Sequence, residues 1–375
     1  MGGCISRLSV RHESCQDHEP AQETEFAAHL ESARSSPPRS SVEWQHLREP
    51  SRNTDVGDAS SSSRSPRINE KLELLAQALE RAGQAGIPSS LMEYGQQVAH
   101  HLSANIQPDE KMLSLDVNNF HHLADSYNRR YPDLDLRHMD SPATFLDALT
   151  CRSSDSAWRA VVRLSDGEKH HFAADVRTRA GAAPTVIVME GANFYTFVTA
   201  YFKLRRESPR LLGTESKWAF IEIGAQKSAA DCVIFGLQFA LAAYRMSSTF
   251  DSWHDNLRQY GTIAHEGDYS SDYMPSPDAM LEYAQINLFH GERFLPAPFY
   301  KHSHSSGVIE EVAGHQPSLK EKDLSTSSRD PKTESLAKRL EAFAVQRGSL
   351  QYSASIETSR ATKIRTALDT MLRDD

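Results

Sequence analysis

Ala225-Gln226-Lys227-Ser228-Ala229-Ala230-Asp231-Cys232-Val233-Ile234-Phe235-Gly236-Leu237 is the stretch at which the chain changes character. Ahead of it, Trp218 to Gly224 alternates apolar and polar residues, the pattern of a half-buried strand. Behind Cys232 the apolar run continues to Tyr244, too long for an ordinary strand and too short to cross a membrane. The run predicts a buried helix with Cys232 in its first turn. Unpaired backbone N–H groups and the helix dipole favour an anion there, which lowers a thiol's pKa and makes it a nucleophile. A cysteine alone does not carry that reading, because free cysteines are commonly inert core residues.

Two upstream stretches supply what a nucleophilic thiol needs. Lys169-His170-His171-Phe172-Ala173-Ala174-Asp175-Val176 offers an imidazole, and the apolar strand Thr185-Val-Ile-Val-Met189 ends at Glu190. The imidazole takes the thiol proton, a carboxylate orients the imidazole, and a donor such as Gln226 meets the oxyanion. His170 and His171 lie on one strand, so they face opposite sides and only one can be the base.

The order His171, Glu190, Gln226, Cys232 resembles the YopJ family of bacterial effectors, with nineteen positions from His171 to Glu190 and six from Gln226 to Cys232. The family pattern is His-Phe-x-x-x-Asp, then Glu, then Gln-x-x-x-x-[Asp/Glu]-Cys, and the resemblance spans roughly residues 90–315. It selects His171 as the base, leaving His170 as a surface histidine, with Glu190 as the orienting carboxylate, Cys232 as the nucleophile and Gln226 at the oxyanion. Val233 departs from the pattern, since glycine often follows the cysteine in this clan. The implied fold is α+β, a cysteine-protease-like (ubiquitin-like protease) catalytic core with a helical N-terminal extension.

Residues alone leave two chemistries open, because both pass through a thioester on cysteine. With water as acceptor the chain is a cysteine protease, deubiquitinase or deSUMOylase-like hydrolase. With acetyl-CoA as donor and an amine or hydroxyl as acceptor it is an acetyltransferase. The resemblance implies the second: acetylation of host Ser, Thr and Lys side chains after type III secretion, suppressing immune signalling. A third reading, an inactive fold that sequesters a host factor, is opposed by the complete triad. The resemblance further implies activation by inositol hexakisphosphate, which needs converging cations. The candidates are Arg129, Arg130, Lys203, Arg205, Arg206, Lys301 and His302. Lys301, in Phe299-Tyr300-Lys301-His302, also resembles the lysine that family members acetylate on themselves.

The remaining composition sets bounds. Of the 375 residues 39% are hydrophobic, low enough to predict that part of the chain is unpacked. A net charge of -9 argues against general nucleic-acid binding. Cys4, Cys15, Cys151 and Cys232 show neither disulfide spacing nor a Cys/His zinc pattern. No apolar run reaches membrane-spanning length, and the N-terminus lacks the apolar core of a signal peptide.

Residues 1–67, poor in large aliphatics and rich in Ser, Pro, Arg and Glu, read as a disordered leader with the secretion signal. It begins Met1-Gly2-Gly3-Cys4-Ile5-Ser6, a myristoylation pattern at Gly2 with Cys4 placed for palmitoylation, which predicts a peripheral, lipid-anchored protein at the host plasma membrane. Residues 68–150 read as a helical cap, with helices near 68–82, 89–104, 116–127 and 143–149. Residues 151–302 read as the catalytic core, with a hairpin about Ser165–Glu168 and helices over 192–205, 246–260 and 278–289. Residues 303–334 read as a polar linker or loop, and 335–375 as a C-terminal helical segment with a helix over 334–347.

Overall fold

Ser65 accepts a hydrogen bond from Arg67 N–H at 3.3 Å, capping a helix that has proline in its first turn. This helix is α1 (Pro66–Gln84), so order begins slightly before the expected Ile68. The computed structural model describes residues 65–374 apart from 151–154, 168, 213–215, 265–271, 273, 323 and 325–333. The leader's secretion signal and the lipidation motif at Gly2 and Cys4 lie outside the described residues. In chain order α1 is followed by α2 (Ser89–Ala104), α3 (Glu110–Arg130), β1 (Leu136–Met139) and α4 (Pro142–Thr150). The hairpin strands β2 (Ser156–Arg163) and β3 (His171–Thr178) come next, then β4 (Thr185–Glu190), α5 (Val198–Leu212), β5 (Lys217–Glu222) and α6 (Cys232–Arg245). The chain continues through α7 (Ser247–Tyr260), α8 (Ala279–Tyr283), β6 (Leu288–His290) and α9 (Ser306–His315). It closes with α10 (Leu336–Ala342), the hairpin β7 (Ala344–Arg347) and β8 (Leu350–Ser353), and α11 (Ser355–Asp374).

Strands β1 to β6 form one mixed sheet in sequential order. The central pairs β2–β3 and β3–β4 are antiparallel, while β1–β2, β4–β5 and β5–β6 are parallel. Period-two alternation sorts the side chains to two cores. Trp158, Phe172, Val188 and Phe220 pack on one face with Phe145 of α4 and Tyr201 of α5. Val161, Ala173, Ile187 and Ile221 pack on the other with Ile234, Phe235 and Leu237 of α6. The second core runs on into α1, α2, α3 and α11 through Leu75, Leu91, Phe120 and Ile364. The expected α+β arrangement is therefore present, with a mixed sheet covered by helices on both faces.

Several boundaries differ from the sequence reading. The 68–150 segment is divided, since α1–α3 belong to one core and α4 to the other. The linker expected over 303–334 contains α9, whose Val308, Ile309 and Val312 are buried, so the packed fold does not end at His302. The helix expected over 192–205 opens as a 3-10 turn at Phe194–Phe197 before α5 begins. The segment expected as one helix over 278–289 breaks after Tyr283, where Gln285 takes a left-handed φ of 54°, and its end pairs with β5 as β6. The helix expected over 334–347 stops at Ala342 and gives way to the β7–β8 hairpin, turned at Gly348 with φ 59°.

Candidate active site

The register of β3 and β4 determines which histidine meets Glu190. Ala173 lies opposite Met189, so continuing the ladder by two residues sets His171 opposite Gly191. Cross-strand partners share a face, which places Glu190 with Phe172 and His170 and excludes His171. The expected His171–Glu190 pair is thus replaced: His170 Nε2 donates to Glu190 Oε2 at 2.8 Å. Nor is His170 a surface residue, being buried at 8% exposure and stacked on the Phe197 ring at 3.7 Å between centroids. Burial opposes its charged form, but the Glu190 carboxylate and the Cys232 sulfur outweigh that and raise His170 to about 10. With Nε2 on Glu190, Nδ1 is the nitrogen left for the sulfur.

His171 has a different environment. Its Nδ1 lies 2.9 Å from Lys169 O, a group that only accepts, so this nitrogen carries the proton. Cys232 Sγ is 3.9 Å from the same nitrogen and 3.7 Å from Lys169 O. Burial first, then the neighbouring His138, lowers His171 to about 3 and keeps it neutral. Its ring stacks against His138 at 5.8 Å, and its Nε2 is buried without a hydrogen-bond partner.

Cys232 opens α6 as expected from sequence, with a fully buried side chain. No side chain caps this first turn, which leaves its N–H groups for an anion. Asp231 precedes it, and its buried side chain meets Arg360 of α11, Ser228 and His304. Gln226 is buried in the same loop, its N–H donating to Gly191 O at 2.8 Å and its Nε2 to Ser228 O at 2.6 Å. A Cβ on Gly191 would come 3.2 Å from Gln226 Oε1, so glycine there permits the close approach.

Three partners were not evident from the sequence. Tyr201 Oη donates to Glu190 Oε2 at 2.5 Å, Ala192 N–H donates to Glu190 Oε1 at 2.7 Å, and Phe197 backs the imidazole. The aromatic run 194–202 reads simply as core by periodicity, and only the fold shows that two of its rings hold the dyad.

The cation candidates separate. Lys301 and His302 line a pocket of about 630 Å³ together with Arg67, Lys71, Arg245, Lys338, Arg339 and Lys363, against Glu70 and Glu334. Arg129, Arg130, Lys203, Arg205 and Arg206 are not among its lining residues. Arg130 lies over the Tyr131 ring, Arg205 donates to Gln285 O and Ser208 Oγ, Arg206 faces Glu207, and Lys203 is exposed on α5 across the sheet. Burial and neighbouring cations lower Lys301 to about 8 and Lys363 to about 7. No group of His, Cys, Asp and Glu among the described residues is arranged to hold a metal ion.

Comparison with known proteins identifies the family and the fold. The YopJ Serine/Threonine acetyltransferase family profile matches residues 91–366. A serine/threonine-protein acetyltransferase of Sinorhizobium fredii is 76% identical over 225 residues, covering 60% of this chain and 86% of its own. The acetyltransferase HopZ1a of Pseudomonas syringae pv. syringae is 28% identical over 341 residues, covering 84% of this chain and 88% of its own. The crystal structure of HopZ1a in complex with IP6 superposes with a TM-score of 0.70 at 25% identity, covering 82% of this chain and 99% of that one. Another HopZ1a structure, with IP6 and CoA, gives the same TM-score of 0.70. The chain belongs to the YopJ serine/threonine acetyltransferase family and has that family's cysteine-protease-like fold.

Proposed function

We propose that this chain is an effector that moves an acetyl group from acetyl-CoA to Ser, Thr or Lys side chains of host proteins by way of Cys232. The observation that carries the reading is His170 set between Glu190 and Cys232, with Cys232 at an uncapped helix start. Residue roles differ from the sequence expectation in one respect: His170, rather than His171, is the acid–base group. The Cys232 sulfur, having given its proton to His170, attacks the thioester carbonyl. N–H groups of the first turn of α6 and the Gln226 amide face the oxyanion. His170 then protonates the departing CoA sulfur, leaving acetyl-Cys232. Neutral His170 next takes the proton of the acceptor hydroxyl or amine as that atom attacks, and Cys232 is released.

The basic pocket is the proposed site for inositol hexakisphosphate. Its neighbours in structure are complexes with IP6 and CoA, and seven Lys and Arg side chains face two glutamates. Lys301, the residue that resembles a self-acetylated lysine, lines this same pocket. Incubation with labelled acetyl-CoA, with and without inositol hexakisphosphate, tests the whole reading. Label should appear on wild type, depend on the polyanion, and vanish in Cys232→Ala. Hydrolysis of acetyl-CoA or a peptide without labelled protein would instead favour water as acceptor. Myristoylation at Gly2 with palmitoylation at Cys4 remains the proposed membrane anchor. Gly2→Ala should then move the protein from the membrane to the soluble fraction of a host cell, and unchanged fractionation refutes it.

A further inference from the structure

The side chain of Asp231, the residue before the nucleophile, makes no bond to the helix it caps. Its Oδ1 accepts from Arg360 Nη2 at 2.6 Å, and its Oδ2 faces Ser228 Oγ and, at 3.4 Å, His304 Nε2. Lys227 N–H donates to His304 Nδ1 at 2.9 Å, so the His304 proton lies on Nε2, which is 3.4 Å from the carboxylate without a hydrogen bond to it. Arg360 also forks onto Asp116 of α3, donating Nε and Nη2 at 2.8 Å each. The Arg360, Asp116 and Asp231 side chains are no more than 1% exposed. One buried cation therefore ties the helical layer to the loop that carries Gln226 and Cys232.

Two neighbours of Asp231, Arg360 and His304, lie close in the chain to residues of the basic pocket. Thr358, Ser359, Thr362 and Lys363 of α11 line the pocket, and Arg360 leaves the same helical turn toward Asp231. Lys301 and His302 line it as well, three and two residues from His304 respectively. A helix moves as a unit, so a displacement of α11 at the pocket is a displacement of Arg360.

We propose that the Asp231–Arg360 pair couples occupancy of the basic pocket to the placement of the Gln226–Cys232 loop, with Asp231 and Arg360 as positioning residues for the nucleophile. This rests on the pocket being the polyanion site. Without an anion, Lys363, Arg245, Lys301 and Arg339 repel one another, and outward movement of α11 relieves that repulsion. The same movement withdraws Arg360 and leaves a buried carboxylate beside the thiol without its counter-charge, which disfavours the thiolate. A bound polyanion neutralises the cluster, holds α11 inward and restores the pair.

The test measures alkylation of Cys232 by iodoacetamide in the full-length chain, read by mass spectrometry across pH. Inositol hexakisphosphate affinity is measured on the same samples by calorimetry. In wild type the polyanion should accelerate alkylation by about tenfold, within the usual range of coupling between sites. In Asp231→Asn and Arg360→Lys the acceleration should fall below about twofold, while the dissociation constant stays within about fivefold. The double variant should lose no more than either single one. Full acceleration in either single variant, with binding retained, overturns the coupling alone. A wild type that does not bind the polyanion overturns the pocket reading and the coupling with it. Should Asp231→Asn and Arg360→Lys not fold, His304→Gln carries the test, since it leaves the Arg360 pair in place. Full acceleration in it agrees with coupling through Arg360, and loss of acceleration moves the coupling from that pair to His304 and overturns the proposal.

Discussion

A carbonyl oxygen determines what His171 can do. Lys169 O holds the His171 Nδ1 proton, so the nitrogen facing Cys232 has no lone pair to offer. His170 has its Nε2 proton on Glu190, which leaves Nδ1 for the sulfur. We expect His170→Gln to lower kcat/KM by about 10³-fold or more, the usual scale for losing general acid–base catalysis. His171→Gln should lower it by less than about tenfold. The reverse ranking would restore His171 as the base. Tyr201→Phe keeps the ring but removes one donor to a carboxylate, and should cost about tenfold in kcat with little change in KM. Equal losses of stability and activity on thermal melting would reduce Tyr201 to a core residue. The placement of Cys232 at a helix start, of Gln226 in the loop before it and of Glu190 at a strand end could be read from residue type and spacing. The choice between two adjacent histidines could not, because it is set by the parity of a strand register that only the folded sheet defines.

At the level of elements, the end of β5 carries a charge problem. Glu222 accepts Phe194 N–H at 2.6 Å and so anchors the 3-10 turn that presents Phe197 to His170. Burial raises its carboxyl to about 7, with Glu292 and Glu190 adding to the rise against that N–H bond. A raised folded pKa means that the stabilising protonated form is present below the unfolded value of 4.5 and lost as pH rises through about 7. Glu222→Gln keeps the acceptor for Phe194 and removes the titration. Its stability relative to wild type, read from thermal melting, should therefore rise between pH 5 and pH 8 by about 1–2 kcal/mol after solvent screening. A pH-independent difference would refute this. The elements legible in the sequence were those with long periodic apolar runs, α1, α2, α6 and the β2–β3 hairpin. Short edge elements such as β6 and the β7–β8 pair were not. Their pairing comes from a distant strand or a single glycine turn, and local pattern favoured a longer helix.

For the whole molecule, the basic pocket makes ligand binding and proton binding one process. Lowered values at Lys363 and Lys301 mean that the empty pocket loses stability as pH falls from above 10 through about 8 and 7. A bound polyanion recharges both lysines, so binding at pH 7.5 should take up about one proton. Calorimetry in buffers of different ionisation enthalpy measures this directly, and proton release or no exchange would contradict it. The helix that completes this pocket, α11, was legible as helical but not as core. Its inward side carries Arg360 and Lys363, whose partners Asp116, Asp231 and Gln238 lie on segments far away in the chain. Hydrophobic periodicity cannot report a face buried by charge pairing. That face also sets an order of events. Arg360 meets Asp116 across 244 residues and Asp231 across 129. Contacts between such distant segments close late in folding. A chain halted at residue 350 holds its base, carboxylate and thiol, yet lacks the cation that offsets the charge beside the thiol. Newly made or newly delivered protein should therefore stay silent until its last helix docks, so that the far end of the chain acts as a timer on its own chemistry.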